Sequence, residues 1–304
     1  MIRDLLSRAT GLEPSYVLKV ARTANYRYKK YTIPKKDGTP REIHHPAREL
    51  KLFQGWLATH IFEALPIHPA AMAYRKSKSI LSNAVLHASH NYLLRIDFEG
   101  FFPSIRGQDV VSLLRKNGAA LRALVSTDED IEIIRLLSCR HDRLTIGAPS
   151  SPAISNAVMF DLDTSWFDFS RKIEVTYSRY ADDLYFSTNT RGLLSDLMTA
   201  VRKSLVECQS PKLFINEKKS VFTSRKRRRL ATGLVLTSDR RVSVGRATKR
   251  KVKALTFRYL NGLLDGEGLK YLRGFLAYVR SVEPRFLESL RAKYGEEALS
   301  KLLN

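Results

Sequence analysis

Polar and apolar residues alternate from Tyr26 to Pro46 on both sides of a Lys-Lys-Asp-Gly segment, a period of two that predicts a β-hairpin turning at Asp37-Gly38. Apolar positions then recur at helical spacing from Leu50 to Leu65. The run from Asn91 to Phe102 reads as a short strand ending at Asp97, and helical stretches follow near 106–116 and 129–139. Gly147 to Pro152 predicts a turn that opens a further helix. Two runs of β-formers, 172–180 and 184–188, meet at Ala181-Asp182-Asp183, and a helix over 191–208 follows. Beyond it the pattern predicts strands near 218–224, 230–236 and 240–244, then helices near 246–263, 268–280 and 284–294. Strands mixed with helices, followed by helices alone, predict an α+β core sheet with a helical tail. No repeat, low-complexity segment or Pro/Gly/Ser-rich linker divides the chain, so one continuous structure with subdomains is expected.

Composition narrows the class. With 44% hydrophobic and 10% aromatic residues in 304, the chain can fill a core, which excludes wholesale disorder. No apolar run approaches the roughly 18 to 20 residues of a spanning helix, and the first residues lack the pattern of a cleavable leader. Cys139 and Cys208 have no zinc-site or disulfide-framework spacing. Together these imply a reducing, cytoplasmic protein with no membrane partner. The charge is more telling: 52 Lys and Arg against 30 Asp and Glu leave +22, and +13 of that falls within residues 217–260. Cations interleaved with apolar helix and strand positions, not standing as a tail, point to a polyanion, and nucleic acid is the natural one.

The acids supply the chemistry. Asp182 and Asp183 sit at the tip of a predicted hairpin, and adjacent like charges are costly unless a cation lies between them. Mg²⁺, a hard ion, prefers carboxylate and phosphate oxygens. Asp97, ending its own strand, adds a third carboxylate if that strand lies beside the hairpin. Three such acids can hold two ions about 3.5 to 4 Å apart for an in-line phosphoryl displacement. A lone Asp-Asp pair is ordinarily a solvated turn; apolar strands on both sides and the strong positive charge favour the metal reading here.

These motifs, in this order, resemble a reverse transcriptase, and more closely a bacterial retron reverse transcriptase, over roughly residues 30–240. Lys35-Lys36-Asp37-Gly38 through Arg41 is similar to the first fingers motif, and Arg95-Ile96-Asp97-Phe98 through Phe102 to the first catalytic motif. Gly147 through Pro152 resembles the template-side turn, Tyr180-Ala181-Asp182-Asp183 the YADD box, and Ile215 through Ser220 the lysine motif that follows it. Asn83-Ala84-Val85-Leu86-His87 matches the NAxxH pattern of retron enzymes, and Ala231-Thr232-Gly233 departs by one residue from their Val-Thr-Gly. Read locally, Asn83 marks a helix N-terminus and Gly233 a strand-ending turn.

The resemblance implies a right-hand α+β polymerase: fingers and palm over 1–240 (fingers near 25–90 and part of 106–150, palm near 91–105 and 151–240) and a basic helical thumb over 241–304. It implies an RNA-directed DNA polymerase using two Mg²⁺ ions, with Asp97 and Asp182 as direct ligands, Asp183 contacting metal less directly, and the Phe98 carbonyl completing one shell. Phe102 stands where a bulky side chain excludes a ribose 2′-hydroxyl. Lys35 and Arg41 would close over the triphosphate, Ile146 and Gly147 would border the nucleotide, and Lys219 would protonate the leaving group or order the loop behind it. For RNA the resemblance implies Arg75, Lys76, Asn83, His87, Thr232 and Gly233. To these it adds the basic run Arg225, Lys226, Arg227, Arg228 and Arg229, and the helix opened by Lys249, Arg250, Lys251 and Lys253.

The partners implied are a cognate noncoding RNA serving as template and primer, deoxynucleotides, the RNA–DNA product and a separate effector protein. Priming from an internal guanosine 2′-hydroxyl, and a place in anti-phage defence, complete the expectation. Ile146 departs from the family, which usually has Gln there, and so predicts lower fidelity. The alternatives are another bacterial reverse transcriptase, group II intron-like or diversity-generating, and a non-catalytic RNA-binding scaffold.

Overall fold

The computed structural model describes residues 1–35 and 38–303; Lys36 and Asp37, the latter the first residue of the expected Asp37-Gly38 turn, lie outside them. Its centre is an antiparallel sheet in the order β4-β5-β3-β6, with β3 at Tyr92–Asp97, β4 at Thr176–Tyr180, β5 at Asp183–Thr188 and β6 at Val221–Ser224. The two central strands carry apolar residues on both faces because both faces are covered. Leu94, Ile96, Leu184 and Phe186 point into one buried cluster, which also holds the helices of the N-terminal half and Leu197 and Val201 of the helix Leu193–Glu207. Their neighbours Leu93 and Tyr185 point the other way, into a second cluster built on the C-terminal helices. Register puts Asp97 directly opposite Asp183, so two acids share one end of the sheet.

The predicted hairpin is present as β1 (Tyr28–Pro34) and β2 (Pro40–Pro46), paired from Tyr28↔Pro46 to Pro34↔Pro40. The helix expected over 50–65 runs Arg48–Leu57 and closes with a single π turn, Ala58–Phe62. Two N-terminal helices that the pattern did not announce, Ile2–Thr10 and Pro14–Arg22, pack into the first cluster. The Ile2 N–H donates at 2.6 Å to Asp130, buried at the start of the helix Asp128–Ser138, which ties the chain's beginning to that core.

The single strand expected over 230–236 is two: β7 (Arg229–Ala231) and β8 (Leu234–Leu236), joined to β9 (Val242–Ser243) in a three-stranded sheet. Thr232 and Gly233, at φ +49° and +82°, make the tight turn between them. This small sheet, the helix Ile80–Ala88 and the C-terminal helices Arg246–Leu260, Gly266–Val282, Pro284–Tyr294 and Glu296–Leu303 share the second cluster, so packing runs straight across the expected boundary at 240. The 246–263 pattern is also corrected. The helix ends at Leu260, its buried residues are Val252 and Thr256, and Leu260 and Leu263 are exposed. Among the described residues no helix is long and apolar enough to cross a membrane.

Candidate active site

Asp182 occupies the two-residue tip between β4 and β5, preceded by Ala181 at φ +57°, a conformation that costs a β-carbon residue energy. What holds the tip lies two residues before Ala181. Arg179 is fully buried and bonds Asp163 with two of its nitrogens, at 2.9 and 2.7 Å, while Nη1 donates to Asn156 and, at 3.1 Å, to the Ala181 carbonyl. Tyr177 gives Asp163 a third donor, at 2.7 Å. Burial opposes charge on Arg179, and Asp163 overcomes it, lifting the guanidinium above its ordinary pKa.

Around this tip is a cavity of about 610 Å³, within the range that takes a nucleotide-sized ligand. Asp97 and Asp182 lie on its wall with Phe98, Phe102, Ile146, Lys35, Arg41 and Lys219, so most of the residues assigned to chemistry and nucleotide do converge. The ladder bonds beside Phe98 run from Glu99 N–H to the Phe214 carbonyl and from Asn216 N–H to the Asp97 carbonyl, while the Phe98 N–H donates to the Asp182 carbonyl at 3.3 Å. Phe102 tilts against Tyr74 across the cavity mouth. Gly147 is not on the wall. At φ +110° a β-carbon there would come within 2.7 Å of the His44 carbonyl; glycine lets the segment pair with β2, where His44 N–H donates to the Ile146 carbonyl.

Asp183 turns away from the cavity. Its carboxylate accepts from the Tyr185 hydroxyl at 3.0 Å, and Arg95 approaches at 3.9 Å. The three carboxyls all titrate high. Burial first and the charge of Asp182 second raise Asp97, burial raises Asp182, and burial followed by Asp182 pushes Asp183 up to about 6.

Among the described residues no three His, Cys, Asp or Glu side chains converge as a metal cage. Asp97 and Asp182 alone fit Mg²⁺, which is held by one or two carboxylates plus substrate phosphates and keeps water elsewhere in its shell. The raised pKa values agree, since a cation is what lets crowded, half-buried carboxyls ionise together.

A folded-state pKa above the unfolded value means that the folded protein binds the extra proton, so stability falls as pH rises through the interval. For Asp183 that interval runs from 3.8 to about 6. In chelator-treated protein the melting temperature should therefore drop between about pH 4 and pH 7, and Asp183→Asn should flatten that drop. Equal pH slopes for the two proteins would show that this carboxyl has no raised pKa.

The residues expected to bind RNA separate into two groups. Lys76, Lys226, Arg227, Arg228 and Arg250 are exposed, and Arg75 is half-buried with its guanidinium on the His68 and Ala71 carbonyls. Asn83, His87 and Arg229 are a correction, because their side chains are interior. His87 bonds Ser187 at 2.7 Å and Ser178 at 2.8 Å, and Ser178 donates to Asn83 at 2.7 Å; burial pushes His87 down to about 3 and keeps it neutral. Arg229 donates to the carbonyls of His90 and Thr237. Thr232 is also engaged internally: its hydroxyl donates to the Ile80 carbonyl, and its N–H to the Tyr185 oxygen that serves Asp183. The exposed Gly233 completes that turn. Of the helix cations, Lys249 pairs with Glu283, while Lys251 and Lys253 lie over Tyr271 and Phe286.

Not foreseen are Tyr74, Arg140, His141 and Arg143 on the cavity wall. The last three belong to a tight turn with His141 and Asp142 at positive φ, and Arg140 reaches His44 at 3.1 Å. The dense Arg-His-Asp-Arg run just before the Gly147 turn was their only signal.

The family described as "Reverse transcriptase (RNA-dependent DNA polymerase)" matches residues 33–260. Curated relatives from Escherichia coli decide the branch: the Retron Ec83 reverse transcriptase is 35% identical over 96% of each chain, and the Retron Ec73 reverse transcriptase 34% identical over 97% of this chain and 96% of its own. This chain belongs to the retron reverse transcriptases. As a member it is an RNA-directed DNA polymerase with an α+β right-hand fold. The fold likeness extends to the telomerase of Candida albicans, at TM-score 0.51 and 14% identity over 92% of this chain and 59% of that one.

Proposed function

We propose that this reverse transcriptase copies part of a structured noncoding RNA made alongside it, starting from a guanosine 2′-hydroxyl within that RNA, so that the product is a branched RNA–DNA. The observation that carries the polymerase chemistry is the cavity in which Asp97 and Asp182 face Lys35, Arg41 and Lys219. Asp97 and Asp182, with the Phe98 carbonyl beside them, would hold two Mg²⁺ ions, which supply the charge that activates an attacking hydroxyl and stabilises the departing pyrophosphate. Arg41 and Lys35 bind the triphosphate, and Lys219 orders or protonates the pyrophosphate side. Phe102 excludes a 2′-hydroxyl from the incoming sugar by bulk. The surface cations, above all Lys226, Arg227, Arg228 and Arg250, hold RNA phosphates. In domain terms we assign 1–240 to fingers and palm and 241–304 to the thumb. We place the enzyme in the cytoplasm, in anti-phage defence with a separate effector protein, as the resemblance implies.

The test is to express the chain with its native flanking DNA, extract nucleic acid, and treat it with a debranching enzyme. A discrete short DNA that shortens on debranching is expected. An unbranched product, or RNA bound without DNA, would overturn the priming mode or the polymerase role respectively. Ile146 carries a second expectation: an aliphatic residue on the cavity wall offers the nucleotide no hydrogen bond. Ile146→Gln should lower misincorporation, by roughly fivefold for one hydrogen bond of about 1 kcal/mol. Primer extension with one deoxynucleotide withheld reads this directly, and an unchanged error rate would sink it.

A further inference from the structure

β3 carries Asp97 at one end and Tyr92 at the other, roughly 17 Å away along six extended residues. At the Tyr92 end, the sheet face of Tyr92 and Phe222 and the first turn of the helix Leu193–Glu207, at Leu194, enclose a pocket of about 260 Å³. A second pocket of about 480 Å³ opens beside it and shares Tyr92, which makes one continuous groove. It shares no residue with the nucleotide cavity, and Lys226 and Arg227, read above only as surface cations, border it.

Charge selects the occupant first. Arg191, Lys226 and Arg227 stand on the rim, no carboxylate lines either pocket, and among the described residues no acidic side chain pairs with these three. Arg225 is different: its guanidinium is held by the Asn91 side chain and the Ser238 carbonyl, so it forms wall. Three unpaired cations gathered from two distant segments repel one another until a polyanion arrives. The floor selects next. Phe222 is 50% exposed on β6, the edge strand, and its open ring face is the kind of platform on which a base stacks irrespective of sequence. An acidic peptide could satisfy the cations, but a four-residue edge strand offers it little ladder, and it has no planar group for the ring.

We propose that this groove binds a single-stranded segment of RNA, one base against Phe222 and Tyr92 with its flanking phosphates on Arg191, Lys226 and Arg227. It lies at the far end of the sheet, so the segment held there is not the one being copied. The proposal rests on the reading that this polymerase keeps an RNA of its own.

The test uses the full chain with its cleft saturated by an RNA template–DNA primer duplex. Fluorescence anisotropy then follows binding of a labelled, mixed-sequence RNA of about 12 nucleotides. Phe222→Ala should weaken binding about tenfold, as loss of one stacked base does. Arg191→Gln should reduce the slope of log affinity against log salt by about 0.7. Melting curves check that both variants are folded, and Arg191→Gln, at an exposed position, keeps the test open if Phe222→Ala is not. Unchanged affinity and salt slope would overturn the groove, as would a poly-glutamate peptide that binds in a Phe222-dependent way while the RNA does not. Primer extension on the same duplex keeps the two readings apart: wild-type protein that binds the oligonucleotide through Phe222 but extends nothing would defeat the polymerase reading and leave the groove standing.

Discussion

Asp182→Ala should cut nucleotide incorporation on a primed RNA template by about 10³-fold or more, and Asp97→Asn should do nearly as much. The size follows from the site: Asp97 and Asp182 are the paired acids of a cavity wall that also carries Glu42 and Glu99, and removing one of the pair forfeits several kcal/mol of charge stabilisation at the reacting phosphate. Stability should move the other way. All three acids have raised pKa values, so deleting one relieves repulsion and burial cost, and metal-free Asp182→Ala should melt no lower than wild type at neutral pH. Single-turnover extension beside a thermal melt separates the two effects. A variant that retains more than about a tenth of wild-type rate would remove Asp182 from the chemistry.

Asp163→Ala is expected to have the largest effect on folding. It would strand the Arg179 guanidinium, which has no solvent exposure, with only the Asn156 oxygen and the Ala181 carbonyl for company. Breaking a buried ion pair from one side costs about 3 to 5 kcal/mol, a large part of the roughly 5 to 15 kcal/mol that holds a domain together. Urea unfolding should show a lowered midpoint, and activity should fall even under conditions where the variant stays folded, because the same guanidinium steadies the strained Ala181 turn. A variant that unfolds at the wild-type urea concentration would mean that Arg179 finds water or another partner.

The elements around the chemistry were legible because each has a short period and a punctuating residue: β3 stops at Asp97, β4 and β5 flank the acid tip, and β1 and β2 alternate cleanly. What escaped depended on distant partners. Asn83 and His87 are polar, and polar residues are mostly exposed, yet Ser178 and Ser187, some hundred positions on, satisfy them inside the protein. Arg229 looked like one more cation in a basic run, and only the His90 and Thr237 carbonyls distinguish it from Arg228. The break between β7 and β8 was legible only at Gly233, read locally as a strand-ending turn, because Leu230 and Leu234 otherwise make the segment read as one apolar strand. Arg140, His141 and Arg143 reach the cavity through a fold-back that no local pattern encodes.

The Tyr185 oxygen takes a hydrogen bond from the Thr232 backbone and gives one to Asp183. One atom thus ties the small β7-β8-β9 sheet to the acid end of the central sheet, and this has a consequence for building chimaeras. Exchanging C-terminal regions between relatives at residue 240 would cut between β8 and β9 and pair a foreign β9 with the native β8 of the tethered sheet. A junction at Gly245, at φ +86° just before the helix Arg246–Leu260, keeps the three strands and their tether with the parent and lets only the helices travel.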